Sequence, residues 1–228
     1  MKLLELFSGT GSWGKEAIDY EVISVDINDY KGKFSPTHKI DILKFDYKQY
    51  DKDSFDIITA SPPCVYYSIL QQIWIGKKKK DGIFTQEKYE KCLELADSWV
   101  KKTLEIIDYF KPRLWFIENP QSGKLKERIF MKGIPFYDVD YCMYSNWGYR
   151  KRTRIWTNKK DYKGKLCNKK CGNMVKIGKK HIHKKNCGNA KLQKITREHY
   201  QKKSEGGGTK LFDRYRIPPV LINSLFEL

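Results

Sequence analysis

The 228-residue sequence predicts an open α/β domain. Three observations carry this: short apolar runs rich in β-branched residues, turn residues or acids closing each run, and one long stretch with apolar residues at helical spacing. Hydrophobic residues make up 40% of the chain, enough for one sizeable core with at most a small insertion. In open α/β sheets ligands bind outside the carboxyl ends of the strands, so the residues that close each run are the first candidates for a site.

Residues 3–7 (LLELF) are the first expected strand, leading into Ser8-Gly9-Thr10-Gly11-Ser12-Trp13-Gly14, after which residues 15–20 can start a helix. Glycines allow a tight turn and close approach of a ligand to the backbone, and a helix amino end offers N–H groups. The pattern fits neither the dinucleotide fingerprint nor the P-loop, and an ordinary turn would read the same way. The second strand, residues 21–25, delivers Asp26, an acid suited to accept from ribose hydroxyls or simply to close a turn. Asp41 takes a similar place one unit on. The next apolar run, residues 55–60 (FDIITA), reads as a buried strand that Pro62 and Pro63 forbid from continuing. Cys64 is thereby presented rigidly at a strand end. Alone it would read as a buried thiol; with a glycine turn, Asp26 and Asp41 it outlines a site the size of adenosine.

Between Cys64 and Gln86 a long connection carries Gly76, lysines at 77–80 and Gly82, read as a mobile lid over Cys64, with disorder as the alternative. Residues 87–110 have helical spacing, with Cys92 on the core face, and Pro112 ends the helix. Residues 114–117 (LWFI) form another buried strand bearing Glu118-Asn119-Pro120 at its end. Burial raises a carboxylate pKa, which suits Glu118 to donate a proton near neutral pH, a surface turn being the plain alternative. Residues 139–144 and 154–157 read as a closing strand pair, with Arg152 and Arg154 on one face of an extended segment.

Charge divides the chain more sharply than hydropathy does. The net charge is +18, and residues 150–203 alone hold 20 Lys or Arg against Asp161 and Glu198. The rest carries 25 basic and 25 acidic residues and is neutral. A balanced domain joined to a wholly basic segment points to a polyanion, most simply nucleic acid. No apolar run approaches the ~20 residues of a membrane span, and the amino-terminal residues lead into a strand rather than a signal peptide. An intracellular, reducing setting makes the six cysteines thiols or metal ligands rather than a disulfide framework.

Phe7-Ser8-Gly9-Thr10-Gly11, Asp26, Pro62-Pro63-Cys64, Glu118-Asn119-Pro120, Arg152-Thr153-Arg154 and Ile217-Pro218 follow the order of motifs in the DNA cytosine-5 methyltransferases, which the chain resembles along nearly its whole length. Residues 194–198 (KITRE) resemble the motif that follows that family's target-recognition region. The resemblance implies a Rossmann-like, doubly wound S-adenosylmethionine-dependent methyltransferase sheet whose last helix, residues 219–228, packs beside the cofactor site. It implies a catalytic domain at 1–157, a small basic target-recognition region at 158–193 and a returning segment at 194–228. It further implies Cys64 as nucleophile, Glu118 as acid, Arg152 and Arg154 beside them, and Phe7, Gly9, Thr10, Gly11, Asp26, Ile27, Asp41 and Pro62 around S-adenosylmethionine. The substrate would be cytosine in double-stranded DNA, flipped out to expose carbon 5. RNA is the alternative substrate, and a non-catalytic nucleic-acid-binding scaffold the alternative class. Val65 stands where the family usually has Gln, and Arg150 where it has Gln before the paired arginines. Such departures resemble small phage and viral members, acting as monomers in the host cytoplasm.

The recognition region is short and polar, and it contains Cys167, Cys171, His181, His183 and Cys187. Zinc bound by Cys167, Cys171, His181 and Cys187 would staple a segment unable to bury its own core. The alternative is solvated Cys and His in a basic loop.

Overall fold

The structure is a computed structural model that describes residues 1–30, 34–185, 194–195 and 214–227. The described chain divides into two compact units, Met1–Tyr137 with Arg154–Asp161, and Asp138–Thr153 with Tyr162–Leu228.

In the first unit, β1 (Lys2–Leu6), β2 (Glu21–Asp26), β3 (His38–Lys39), β4 (Ile57–Ala60) and β7 (Leu114–Pro120) form a parallel sheet in the order β3-β2-β1-β4-β7. β9 (Arg152–Thr157) and then β8 (Phe136–Asp140) complete the order. The central strands are short because each is apolar for only a few residues; all four residues of β4 are buried, as parallel strands covered on both faces require.

Helix α1 (Gln86–Phe110) starts at Thr85, whose hydroxyl accepts the Lys88 N–H at 3.2 Å, and ends at Lys111 in the left-handed conformation just before Pro112. Its buried face carries Tyr89, Leu93, Ala96, Val100, Ile107 and Phe110, as the spacing predicts. Cys92 is only half-buried, at the margin of that stripe rather than in the core.

Residues 15–20 do not form the expected helix. They make successive turns, with Glu16 N–H to Trp13 O at 3.1 Å and Ala17 N–H to Gly14 O at 3.2 Å. The stretch is too short to repay helix nucleation before β2 begins. The connection after Cys64 also differs from a free lid. Tyr67 is fully buried and donates to Asp97 Oδ1 of α1 at 2.9 Å, while Arg128 pairs with the other oxygen of Asp97. Beyond this anchor, a 3-10 turn (Ile69–Trp74) exposes Ile69, Leu70, Ile73 and Trp74, and β5 (Lys78–Lys79) and β6 (Gly82–Ile83) form a small hairpin.

The second unit has fewer apolar residues to work with. β8 stops at Asp140, earlier than the expected 139–144 strand, because Tyr141–Met143 turn into a 3-10 helix closed by Tyr144 N–H to Tyr141 O at 3.0 Å. A hairpin of β10 (Met174–Ile177) and β11 (Lys180–His183) and helix α2 (Pro219–Phe226) complete the unit. Among the described residues no helix is long and apolar enough to cross a membrane.

Candidate active site

Strand register assembles the edge of the first unit. Leu6 lies opposite both Val25 and Ala60, and Ala60 lies opposite Ile117. The next residues along are therefore Phe7, Asp26, Ser61 and Glu118, one row at the carboxyl ends of four adjacent strands.

Two carboxylates shape the glycine turn. Asp26 accepts the N–H groups of Gly9 and Asn28, each at 2.8 Å. Glu5, 1% exposed inside β1, accepts the N–H groups of Trp13 and Gly14, each at 3.1 Å. Burial pushes the Glu5 carboxyl up to about 7, although both N–H bonds pull the other way. Phe7 sits at φ 52, which costs a non-glycine residue on the order of 1–2 kcal/mol. Gly11, at φ 63, lies under the Phe34 ring, where a Cβ would collide. Thr10 is buried, and its carbonyl accepts from Lys15 Nζ at 2.7 Å. Ile27 is exposed, and Asp41 caps a 3-10 turn by accepting the Leu43 N–H at 2.9 Å.

On the other side of the row, Ser61 N–H donates to Leu6 O at 3.2 Å, and the buried Asn119 donates from Nδ2 to Pro62 O at 2.9 Å. That amide ties the proline turn to β7. Cys64 is half-buried on this turn, and Glu118 is 6% exposed on the neighbouring strand. The thiol on the turn after β4 and the buried carboxyl of β7 thus belong to neighbouring elements at one edge of the sheet.

The chain is 34% identical to the "Probable DNA (cytosine-5)-methyltransferase" of Frog virus 3 (isolate Goorha), over 235 residues covering all of both proteins. The chain belongs to the DNA (cytosine-5)-methyltransferase family. A solved structure of a prophage-encoded E. coli protein assigned to DNA modification methyltransferases aligns with a TM-score of 0.43 and 12% identity, over 69% of this chain and 46% of that one. No protein-family model matches.

The two arginines of this methyltransferase are engaged differently. The Arg154 guanidinium lies 3.5 Å from the centroid of the Phe136 ring. Arg152 forks onto Asp140, with Nε to Oδ1 at 3.0 Å and Nη2 to Oδ2 at 2.7 Å, and that bond holds its pKa above the ordinary guanidinium value. Asp140 is fully buried and also accepts the Cys167 N–H at 2.7 Å.

Of the expected metal ligands, Cys167 and Cys171 come together. The imidazole beside them is that of His183, and the third thiol is that of Cys142. His181 is exposed further out on β11, opposite Lys176, and Cys187 lies outside the described residues. The ligand atoms of Cys142, Cys167, Cys171 and His183 all lie within 4.8 Å of one another. None of the five described cysteines is in a disulfide. Burial pushes the Cys142 thiol up, and burial together with Arg150 lowers the His183 imidazole.

Glu5, Asn119, Asp97, Asp140 and Cys142 escaped the sequence reading as site-builders. Glu5 and Cys142 sit inside apolar runs, where spacing reads as strand, and the other three act through partners distant in sequence.

Proposed function

We propose that the protein transfers a methyl group from S-adenosylmethionine to carbon 5 of cytosine in DNA, through a transient Cys64 adduct on a flipped base. The observation that carries this is the single row of Phe7, Asp26, Ser61 and Glu118, with Asn119 tying the Cys64 turn to the strand of Glu118.

The chemistry demands such a pair. Carbon 5 of cytosine is a weak nucleophile, so the Cys64 thiolate adds to carbon 6 while Glu118 gives its proton to ring N3. The resulting enamine makes carbon 5 electron-rich. The cofactor supplies an electrophilic methyl group when bound. Once carbon 5 is methylated, loss of its proton to solvent and departure of the Cys64 sulfur restore the aromatic ring, and N3 returns its proton to Glu118. The target carbon is inaccessible within a duplex, so the base must leave the stack.

The residues present fit an adenosine cofactor. Asp26 stands at the end of β2 beside the glycine turn. Ser8 Oγ and Asn119 Oδ1 are buried on the same edge without a protein hydrogen-bond partner, and such atoms are satisfied by a polar ligand. Phe7, Gly9, Thr10, Gly11, Asp26, Ile27, Asp41 and Pro62 are the residues we propose around it. Arg154, on the same unit as Cys64, supplies positive charge that favours the thiolate. The basic segment holds DNA phosphates, giving affinity without sequence information.

The test is transfer of labelled methyl from S-adenosylmethionine to duplex DNA, with matched RNA as control and nucleoside analysis of the product. Label recovered as 5-methylcytosine in DNA, and lost in Cys64→Ala, is the expected result. Equal labelling by Cys64→Ala would overturn the adduct.

A further inference from the structure

We propose that Cys142, Cys167, Cys171 and His183 form a structural zinc site that staples the second unit. It is independent of the methyl-transfer chemistry proposed above.

The distances match a metal. His183 Nε2 lies 3.6 Å from Cys167 Sγ and 3.4 Å from Cys171 Sγ. A zinc tetrahedron with ordinary Zn–S and Zn–N bonds has sulfur–nitrogen edges of about 3.6 Å and sulfur–sulfur edges of about 3.8 Å. With all four ligand atoms within 4.8 Å of one another, a cation at their centre requires only small adjustments. Three thiols are an odd number, so disulfide pairing among them would strand one sulfur.

The surroundings hold each ligand in place. Lys169, at φ 69, donates its N–H to Cys167 Sγ at 3.3 Å, an N–H···S bond of the kind that stabilises a coordinated thiolate. Asp140 fixes the Cys167 backbone from the other side. Asn173, 4% exposed, donates from Nδ2 to the carbonyls of Cys142 at 2.9 Å and Ser145 at 2.8 Å, so one amide clamps the ligand segments together. The two-residue turn Gly178-Lys179, with Gly178 at φ 58, sets the register that puts His183 opposite Met174, three residues after Cys171.

Need and site coincide. Between residues 158 and 185 the one buried side chain is that of Asn173. Such a stretch has no apolar core to order it, and four N/S ligands supply folding energy directly. On binding, each cysteine gives up its thiol proton to solvent and His183 binds through neutral Nε2, so three thiolates and Zn²⁺ leave a net single negative charge in a basic segment.

The test uses the full chain, with zinc measured by elemental analysis and cobalt(II) exchanged into the site. One zinc per chain is expected, with tetrahedral cobalt bands and a thiolate-to-cobalt charge-transfer band. Cys142→Ser should cut that charge-transfer intensity by about a third, as three thiolates become two. His181→Ala and Cys187→Ser, which leave the proposed ligands intact, should keep the full spectrum and the zinc. Absence of both zinc and cobalt bands in the folded protein would overturn the site. Loss of the bands in Cys187→Ser or His181→Ala, with a full spectrum in Cys142→Ser, would overturn this ligand set.

Discussion

Asp97 and Asp140 are both buried, and both hold an arginine, yet they belong to differently built halves of the molecule. Asp97 sits on α1 among a large apolar cluster; with Arg128 and Tyr67 it anchors the chain three residues after Cys64. Asp140 holds Arg152 and the backbone of Cys167, in a unit whose insertion has one buried side chain between residues 158 and 185. In the first unit a polar network trims a site that packing has already placed. In the insertion of the second, residues 158–185, polar contacts and thiols are most of the structure there is.

The largest effect separating these designs is expected at the nucleophile. Cys64→Ala should lower methyl transfer by about 10³-fold or more, with DNA affinity unchanged, because the role proposed for Cys64 is chemical and its half-buried side chain is not part of the core. Paired activity and binding assays check this. Asp97→Asn and Asp140→Asn come next. Each leaves a guanidinium that is about a third exposed without its countercharge, and each should cost about 1–3 kcal/mol in denaturant unfolding, solvent screening part of the loss. The consequences should diverge: Asp97→Asn should reduce turnover, whereas Asp140→Asn should reduce cobalt retention.

Glu5 gives the first unit a pH signature. Its folded pKa, about 7, lies above the ordinary carboxylate value, so the native state binds this proton more tightly than the unfolded chain does. The contribution is complete below about pH 4.5 and is lost as pH rises towards 7, amounting to about 3 kcal/mol. Unfolding at about pH 5 and about pH 8 should show this decline in the wild type and a flatter profile in Glu5→Gln. The smallest effect belongs to the exposed Lys91–Glu87 pair of α1, at 2.7 Å, where Lys91→Ala should leave the denaturant midpoint nearly unchanged at low salt and unchanged at high salt.

The sequence exposes the first unit more fully than the second for a physical reason. Apolar runs, proline stops and helical spacing are local, so β1, β2, β4, β7 and α1 are readable, and with them the edge where Cys64 and Glu118 emerge. Lys15 to Tyr20 misleads because its composition is helical but six residues before β2 are too few to repay helix nucleation. Cys142 is unreadable because nothing in its neighbourhood separates a strand cysteine from a ligand; its partners lie 25 or more residues away. His181 and His183 share a face of β11, and only the pairing with β10 brings His183 and not His181 alongside Cys171.

The row formed by Phe7, Asp26, Ser61 and Glu118 makes the sheet a ruler. Each of these residues reaches the edge by counting along a strand, not by the route of the chain between strands. Connections other than the glycine turn and the proline turn that carries Cys64 can therefore lengthen or shorten without moving this row. Removing one residue from inside β1, β4 or β7, by contrast, withdraws a side chain by about 3.3 Å and turns it to the opposite face. A small enzyme built this way tolerates change in its outer connections better than along its strands or in the turns that follow β1 and β4.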